Sequence, residues 1–355
     1  MRVRDVCAVM EAWAPEALAF SWDRVGLRIG DPDNAVGGVL TALSVTRGAM
    51  FAAGEAGANL IVSHHPFPFA PLETINPKDP DTQLCLGLVQ SGVSCYAAHT
   101  NLDVAPGGVN HVLAAQLGIE DAAPLLPVEQ AAQVKLSAFV QEEHLAQVCA
   151  CVREAAASAF GRHAYCSVTT ASSISPGGPS GVEPGERRFE AVVLEAILPR
   201  VLQALREAFP DEPVNYEAQP LKSRDSTVGL GAVGELAKPL KANAFARHVR
   251  EQLGISHARL VGEGERKVQR VAVIGGSGGG EIERMPEDVD LLVTGDVKYH
   301  QAQFAADRGL AVIDAGHYGT EIGITEGIAA YLRRELDGLP VTTYTESDPF
   351  QPVQE

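Results

Sequence analysis

The chain has 355 residues, a length that exceeds what one hydrophobic core ordinarily supports, so two lobes or a domain carrying an insertion are expected. Hydrophobic residues make up 46% and charged residues 21%, the balance of an ordinary globular protein, while a formal charge of −17 leaves no basic patch for a phosphate backbone and makes a nucleic-acid partner unexpected. No apolar run reaches the ~20 residues of a membrane helix, the amino terminus meets Glu11 before any signal-peptide core, and six scattered cysteines are too few for a disulfide framework; a cytoplasmic protein is expected.

In chain order, residues 1–30 open with a helical pattern and pass through Trp22-Asp23-Arg24-Val25-Gly26 into a short strand at Leu27–Ile29. A strand at Val39–Val45 and a helix at Arg47–Ala56 follow. An apolar strand, Ala58–Val62, then ends in Ser63-His64-His65-Pro66. Adjacent histidines at a strand tip are unusual, since each offers a nitrogen suited to borderline metals, and Pro66 stiffens the loop. A helix at Leu84–Gln90 leads to the strand Val93–Ala98, which ends in His99-Thr100-Asn101-Leu102-Asp103, and Pro106-Gly107-Gly108 turns the chain into a helix at Val109–Leu117. Alternating strands and helices predict an α/β layered fold.

From about 120 the character changes. Leu125–Ala132 reads as a linker. A strand at Lys135–Val140, an amphipathic helix at Glu142–Ala157, an exposed loop over 171–187, a strand at Arg188–Leu198, a helix at Pro199–Phe209 and a strand at Val214–Leu221 form a block able to hold its own small core. Cys149 and Cys151 fall on the buried face of the first of these helices. After 228 the earlier style resumes: a helix at Leu240–Leu253, a strand at Val268–Ile274 running into glycines 275–280, a strand at Val289–Val293 ending in Asp296 to His300, and a strand at Leu310–Ile313 ending in Asp314 to Glu321. The domains are therefore expected at 1–128, 129–224 and 225–355, the two outer segments building one core.

Five strand ends carry chemistry, and in an open sheet such ends collect ligands. His317 and Glu321, spaced i, i+4 at a helix start, share a face. With His64, His65 and Asp103 they make a ligand set too large for one tetrahedral zinc with an open position, and suited to two divalent ions with a carboxylate bridging. Zinc, iron and manganese all accept such ligands. Two such ions and two carboxylates leave a centre expected to attract an anion such as a phosphate. His99, Lys298 and His300 lie on the same loops as candidate catalytic groups. The glycine run contains G-x-S-x-G around Ser277, so a serine hydrolase using Asp296 or Asp314 with His317 is the competing reading; a floppy turn and an unexplained His64, His65 and Asp103 count against it. A glycine loop whose N–H groups approach a substrate anion explains more.

These motifs resemble the Nif-three-like family, the GTP cyclohydrolase I type-two homologues. The resemblance rests on Trp22 to Leu27, Ser63 to Pro66, His99 to Asp103 with Pro106 to Asn110, Thr294 to His300, and Asp314 to Tyr318 with Glu321. It implies a dinuclear site from His64, His65, Asp103, His317 and Glu321, a ring-shaped homohexamer, and an inserted ferredoxin-like α+β domain similar to PII and CutA proteins at 129–224. Tyr165-Cys166-Ser167 is similar to the family's pattern in that block, whereas the loop after it departs, and Ser44 stands where the family often has an acid. Two functions follow from the resemblance: a metal-dependent hydrolase of a nucleotide or phosphorylated compound, or a non-catalytic metal-binding protein that recruits partners through its ring and insert.

Overall fold

The computed structural model describes residues 1–160, 166–169, 186–210 and 214–351. The first outer segment comprises α1 (Val3–Trp13), β1 (Gly26–Ile29), β2 (Val39–Ala42), α2 (Arg47–Glu55), β3 (Leu60–Ser63), α3 (Pro80–Gln90), β4 (Ser94–Ala97), α4 (Thr100–Val104), α5 (Val109–Gln116) and β5 (Ile119–Leu126). The middle block holds β6 (Ala132–Gln141), α6 (Leu145–Phe160), β7 (Cys166–Thr169), β8 (Glu186–Leu194), α7 (Leu198–Ala208) and β9 (Asn215–Arg224). The last segment runs through β10 (Leu230–Lys241), α8 (Ala242–Gln252), β11 (Arg259–Val261), β12 (Lys267–Val273), β13 (Leu291–Thr294), α9 (Tyr299–Arg308), β14 (Ala311–Asp314), α10 (His317–Glu321), α11 (Gly323–Glu335) and β15 (Val341–Thr343). The expected α/β class is what the molecule has. Among the described residues no helix is long and apolar enough to cross a membrane.

Three sheets organise these elements. The first has the order β1-β4-β3-β2-β15, the second β11-β14-β13-β12-β10-β5, and the third β7-β8-β6-β9. In the first, β15, β2, β3 and β4 run parallel; in the second, β12, β13 and β14 do. Strands β2, β3, β4, β13 and β14 are buried along their whole length, which is why they read as continuous apolar runs rather than alternating ones. The strand ends expected to lie in one sheet thus belong to two: His64 and His99 follow strands of the first, and Gly275, Asp296 and His317 follow strands of the second.

Two elements differ from expectation. Leu125 and Leu126 are not linker but the end of β5, paired with the long β10. Strand β10 carries Gly231, Gly234 and Pro239, residues that argue against a strand, yet each has a place. A side chain at Gly234 would collide with the Glu120 carbonyl oxygen, 2.2 Å from the position of its Cβ, and Pro239 falls where the register with β12 shifts, so its missing N–H breaks no ladder bond. Tyr165, the loop of 171–187 as far as residue 185, and the tail beyond 351 lie outside the described residues.

The third sheet is antiparallel throughout. Its entry and exit meet: the Asp225 N–H donates to the Ala131 carbonyl at 2.8 Å, and Leu126 pairs with Leu230 just outside.

Candidate metal centre

The ends of β3 and β4 meet the ends of β12 and β14 at a cluster of histidines and carboxylates. His64 is fully buried. Its Nδ1 lies 2.8 Å from the Ala98 carbonyl, which can only accept, so Nδ1 carries a proton and donates it there. Nε2 is thereby left facing two carboxylates, Asp103 Oδ1 at 3.6 Å and Glu321 Oε1 at 3.6 Å, with no hydrogen bond to either. An orphaned nitrogen between two acceptors is costly for bare protein and suits a cation. His65 and His317 place their Nε2 atoms 3.0 Å and 3.0 Å from Glu321 Oε2.

Each of these rings is anchored from behind. His65 Nδ1 lies 2.9 Å from Ser44 Oγ, and His317 Nδ1 donates to Asp296 Oδ2 at 2.8 Å. His99 Nδ1 donates to Asp23 Oδ2 at 3.0 Å; the same oxygen accepts from the Thr100 amide and hydroxyl. Outer acceptors that fix one ring nitrogen and leave the other free are the usual support of metal-ligating histidines. Asp296 reaches its place from a left-handed backbone, φ 55°, a conformation that aspartate tolerates better than most residues. Among the described residues, ligand atoms lie within 4.8 Å of one another in three groups: His64 with Asp103 and Glu321, His65 with His317 and Glu321, and His64 with His65 and His99.

The electrostatics follow from packing acids and bases out of water. Burial alone would raise the Glu321 carboxyl, but its hydrogen bond with His317 and the rings of His64 and His65 hold it well below the usual range. Burial opposes a charge on His64, yet Asp103 and Glu321 raise it to about 9. The Glu321 hydrogen bond raises His317 to about 9, with Asp296 adding to it. Burial pushes Asp103 up to about 6 against the pull of His64, and burial lowers His65. Without a cation His64 and His317 hold protons to sit beside the carboxylates. A metal would replace those protons, so the residues present fit a metal.

The glycine run is not the floppy turn expected from its composition. Gly275 N–H donates to Asn110 Oδ1 at 2.9 Å, Gly276 to Thr320 Oγ1 at 2.9 Å and Gly278 to Thr294 Oγ1 at 3.0 Å, and a 3-10 helix continues from Gly278 to Arg284. Those amides are therefore spent on the framework and are not free to cradle an anion. Gly276 has φ +63°, and a Cβ there would lie 2.1 Å from Glu321 Oε1, so only glycine leaves that carboxylate its place. The serine-hydrolase reading loses its base: His317 Nε2 faces Glu321 rather than Ser277, and Asp314 is committed to Arg259 and to the Val297 and Gly316 amides.

Of the residues expected at the site, His64, His65, His99, Asp103, His317 and Glu321 come together. Lys298 and His300 do not join them; both are exposed at the start of α9 and line neither of the cavities that open on the cluster. A cavity of about 680 Å³ includes Trp22, His99, Asp103 and Glu321 in its wall, and one of about 1110 Å³ includes His257, Arg259 and Tyr318. His65 and His317 line both. Sequence reading gave no role to Asp23, marked Ser44 only as standing where the family often has an acid, and placed Gly276 only in the glycine run. Only the Trp22-Asp23-Arg24 motif hinted at the first.

The fold and the cluster define an α/β protein with a histidine–carboxylate centre able to hold metal. The Duf34/NIF3 (NGG1p interacting factor 3) family model matches residues 1–349, and the chain belongs to that family. It is 32% identical to the Halalkalibacterium halodurans "GTP cyclohydrolase 1 type 2 homolog", over 98% of each chain. A Bacillus cereus protein related to NIF3 has a solved structure that superposes with a TM-score of 0.81 at 31% identity, covering 99% of both chains. A Staphylococcus aureus protein matches with a TM-score of 0.75 at 29% identity, again over 99% of both.

Proposed function

We propose that the chain holds two divalent metal ions and is a metal-dependent hydrolase of a nucleotide or other phosphorylated compound. One observation carries the reading: the two oxygens of Glu321 face different histidines, Oε1 toward His64, whose Nε2 also faces Asp103, and Oε2 toward His65 and His317. A carboxylate so divided suits the bridging position between two ions. Zinc, iron or manganese, when bound there, supplies Lewis acidity and makes a water molecule acidic near neutral pH.

The chain's own residues do the rest. His99, oriented by Asp23, is the group placed to take or return a proton at the wall of the smaller cavity. Arg259, ion-paired with Asp314, and His257 bring N–H donors to the wall of the larger cavity, from which an anionic substituent can accept. Lys298, with His300 beside it, stands on the solvent side of the loop that carries Asp296, where its part is to attract an anion.

The same proposal treats 129–224 as a ferredoxin-like, PII/CutA-like insertion into a core made by 1–128 and 225–355, supported by the strand order β7-β8-β6-β9 and by the hydrogen-bonded join at Ala131 and Asp225. It keeps the homohexamer implied by the resemblance, in which exposed Phe51, Val89 and Tyr299 are side chains that a neighbouring copy would cover. A non-catalytic, partner-recruiting role is the second reading. Strand β9, exposed along nearly its whole length at the edge of the third sheet, favours it.

Elemental analysis of protein prepared without chelator tests the centre. Two metals per chain are expected, fewer after His65→Ala or Asp103→Ala, and no change after His144→Ala in the middle block. A stoichiometry that never exceeds one overturns the dinuclear reading. Metal-dependent turnover of a panel of nucleotides and phosphoesters separates the hydrolase from the non-catalytic protein.

A further inference from the structure

The smaller cavity has a character of its own. Its wall carries the aromatic rings of Phe20, Trp22, Phe67 and Phe69, with Val45 and Ile274 beside them. Trp22 is 61% exposed and Phe69 63% exposed, an unusual position for large apolar rings unless something covers them. Both stand nearly perpendicular to the His99 imidazole, Trp22 at 6.1 Å and 79° and Phe69 at 6.2 Å and 75° between ring centroids. The apolar rim and the histidine cluster are thus one continuous surface.

Carboxylates also stand in that wall. Asp81, Asp103, Glu281 and Glu321 line it, and among the described residues neither a lysine nor an arginine does. Asp103 and Glu321 are candidate metal ligands, but Asp81 and Glu281 stand outside the ligand groups. Glu281 accepts from Arg284 at 2.6 Å, and His65, His99 and His317 lie in the same wall, so the carboxylates mark its rim and the histidines its floor. About 680 Å³ is ample for a one- or two-ring compound.

We propose that the smaller cavity binds a flat heteroaromatic ring that is uncharged or cationic and carries amino groups, stacked against Trp22 and Phe69 with its amino groups toward Asp81 and Glu281. The inference rests on the metal-centre reading in one respect, that the reacting part of such a compound would face those ligands; the ring subsite itself needs only the cavity wall. It narrows the substrate class from phosphorylated compounds in general to ring compounds recognised by aromatic stacking and carboxylate acceptors.

Equilibrium dialysis of the full chain as purified, with adenosine and guanosine as aminated rings, orotate as an anionic ring and pyrophosphate as the phosphate alone, tests this. Both nucleosides bind, orotate does not, and pyrophosphate does not displace them. Trp22→Ala and Phe69→Ala each weaken nucleoside binding by about tenfold or more, in keeping with the loss of one stacking partner, while metal content per chain stays at the parent value. Asp81→Lys weakens the nucleosides and admits orotate. The proposal is overturned if neither nucleoside binds, if Trp22→Ala and Phe69→Ala leave binding unchanged, or if pyrophosphate competes with them. Nucleoside binding to protein that holds no metal keeps the ring subsite and removes the metal-centre reading, so the two fail separately.

Discussion

Gly276 decides how much room Glu321 has. Its missing Cβ would sit 2.1 Å from Oε1, and its φ of +63° is one that L-residues adopt at a cost of about 1–2 kcal/mol. Gly276→Ala should therefore displace the carboxylate without exposing any core. Elemental analysis is expected to show metal content lowered by half or more, with a melt that loses only about 1–3 kcal/mol; a variant that keeps its full metal would separate Glu321 from the centre. In α1, Glu11 is raised to about 7 by burial and by the neighbouring Glu16. A raised carboxyl binds its proton more tightly in the folded chain, so its contribution is present below the unfolded value near 4.5 and is lost as pH rises through about 7. Glu11→Gln keeps an oxygen for the Glu16 amide, 3.1 Å away, and should match the parent near pH 4 while exceeding its stability by about 1–2 kcal/mol near pH 8 in denaturant titrations. How much of the site could be read from the chain also divides at this scale. His64-His65 and the His317, Glu321 pair were legible because spacing places them. Asp23 meets His99 across 76 residues and Ser44 meets His65 across 21, contacts that local pattern does not encode.

At the scale of elements, the loop after β12 shows composition misleading and position informing. Six residues rich in glycine read as a flexible turn, yet Asn110, Thr294 and Thr320, from α5, β13 and α10, each accept one of its amides. The glycines are there for close approach to these elements: a Cβ on Gly278 would lie 2.4 Å from Thr294 Oγ1. Thr294→Val preserves shape and removes the acceptor of the buried Gly278 amide, so a loss of about 1–3 kcal/mol is expected in thermal or denaturant melts. A change under about half a kcal/mol would mean that the loop has another partner for that amide. Strand β10 was hidden for the converse reason, since its glycines and proline are breakers by propensity and are tolerated here through the neighbours they touch. Likewise the parallel strands were legible one by one as buried apolar runs, but nothing in their sequence says which sheet each joins. That assignment comes from crossovers and long-range packing.

At the scale of the whole molecule, the proposed centre draws on residues that the middle block separates by sequence: His64, His65 and Asp103 before it, His317 and Glu321 after it. Among the described residues none of its candidate ligands comes from the middle block, and the block's two ends are joined by the Asp225 to Ala131 hydrogen bond. Its core nevertheless merges with the surrounding one. Val148, Val152 and Leu205 belong to the same buried cluster as Val3, Val6 and Met10 of α1, and Arg200 of α7 lies 3.9 Å from Glu11 of α1. Replacing 132–224 by a two-glycine link should therefore have two unequal effects. Stability falls, because the face of α1 that packs on α6 becomes wet. The metal content per chain does not, because β3, β4, β12 and β14 keep their own sheets. Elemental analysis after gel filtration reads the second effect, and a melt reads the first. A truncated chain that elutes as a folded species but has lost its metal would show that the block holds the two halves of the centre together rather than merely interrupting them.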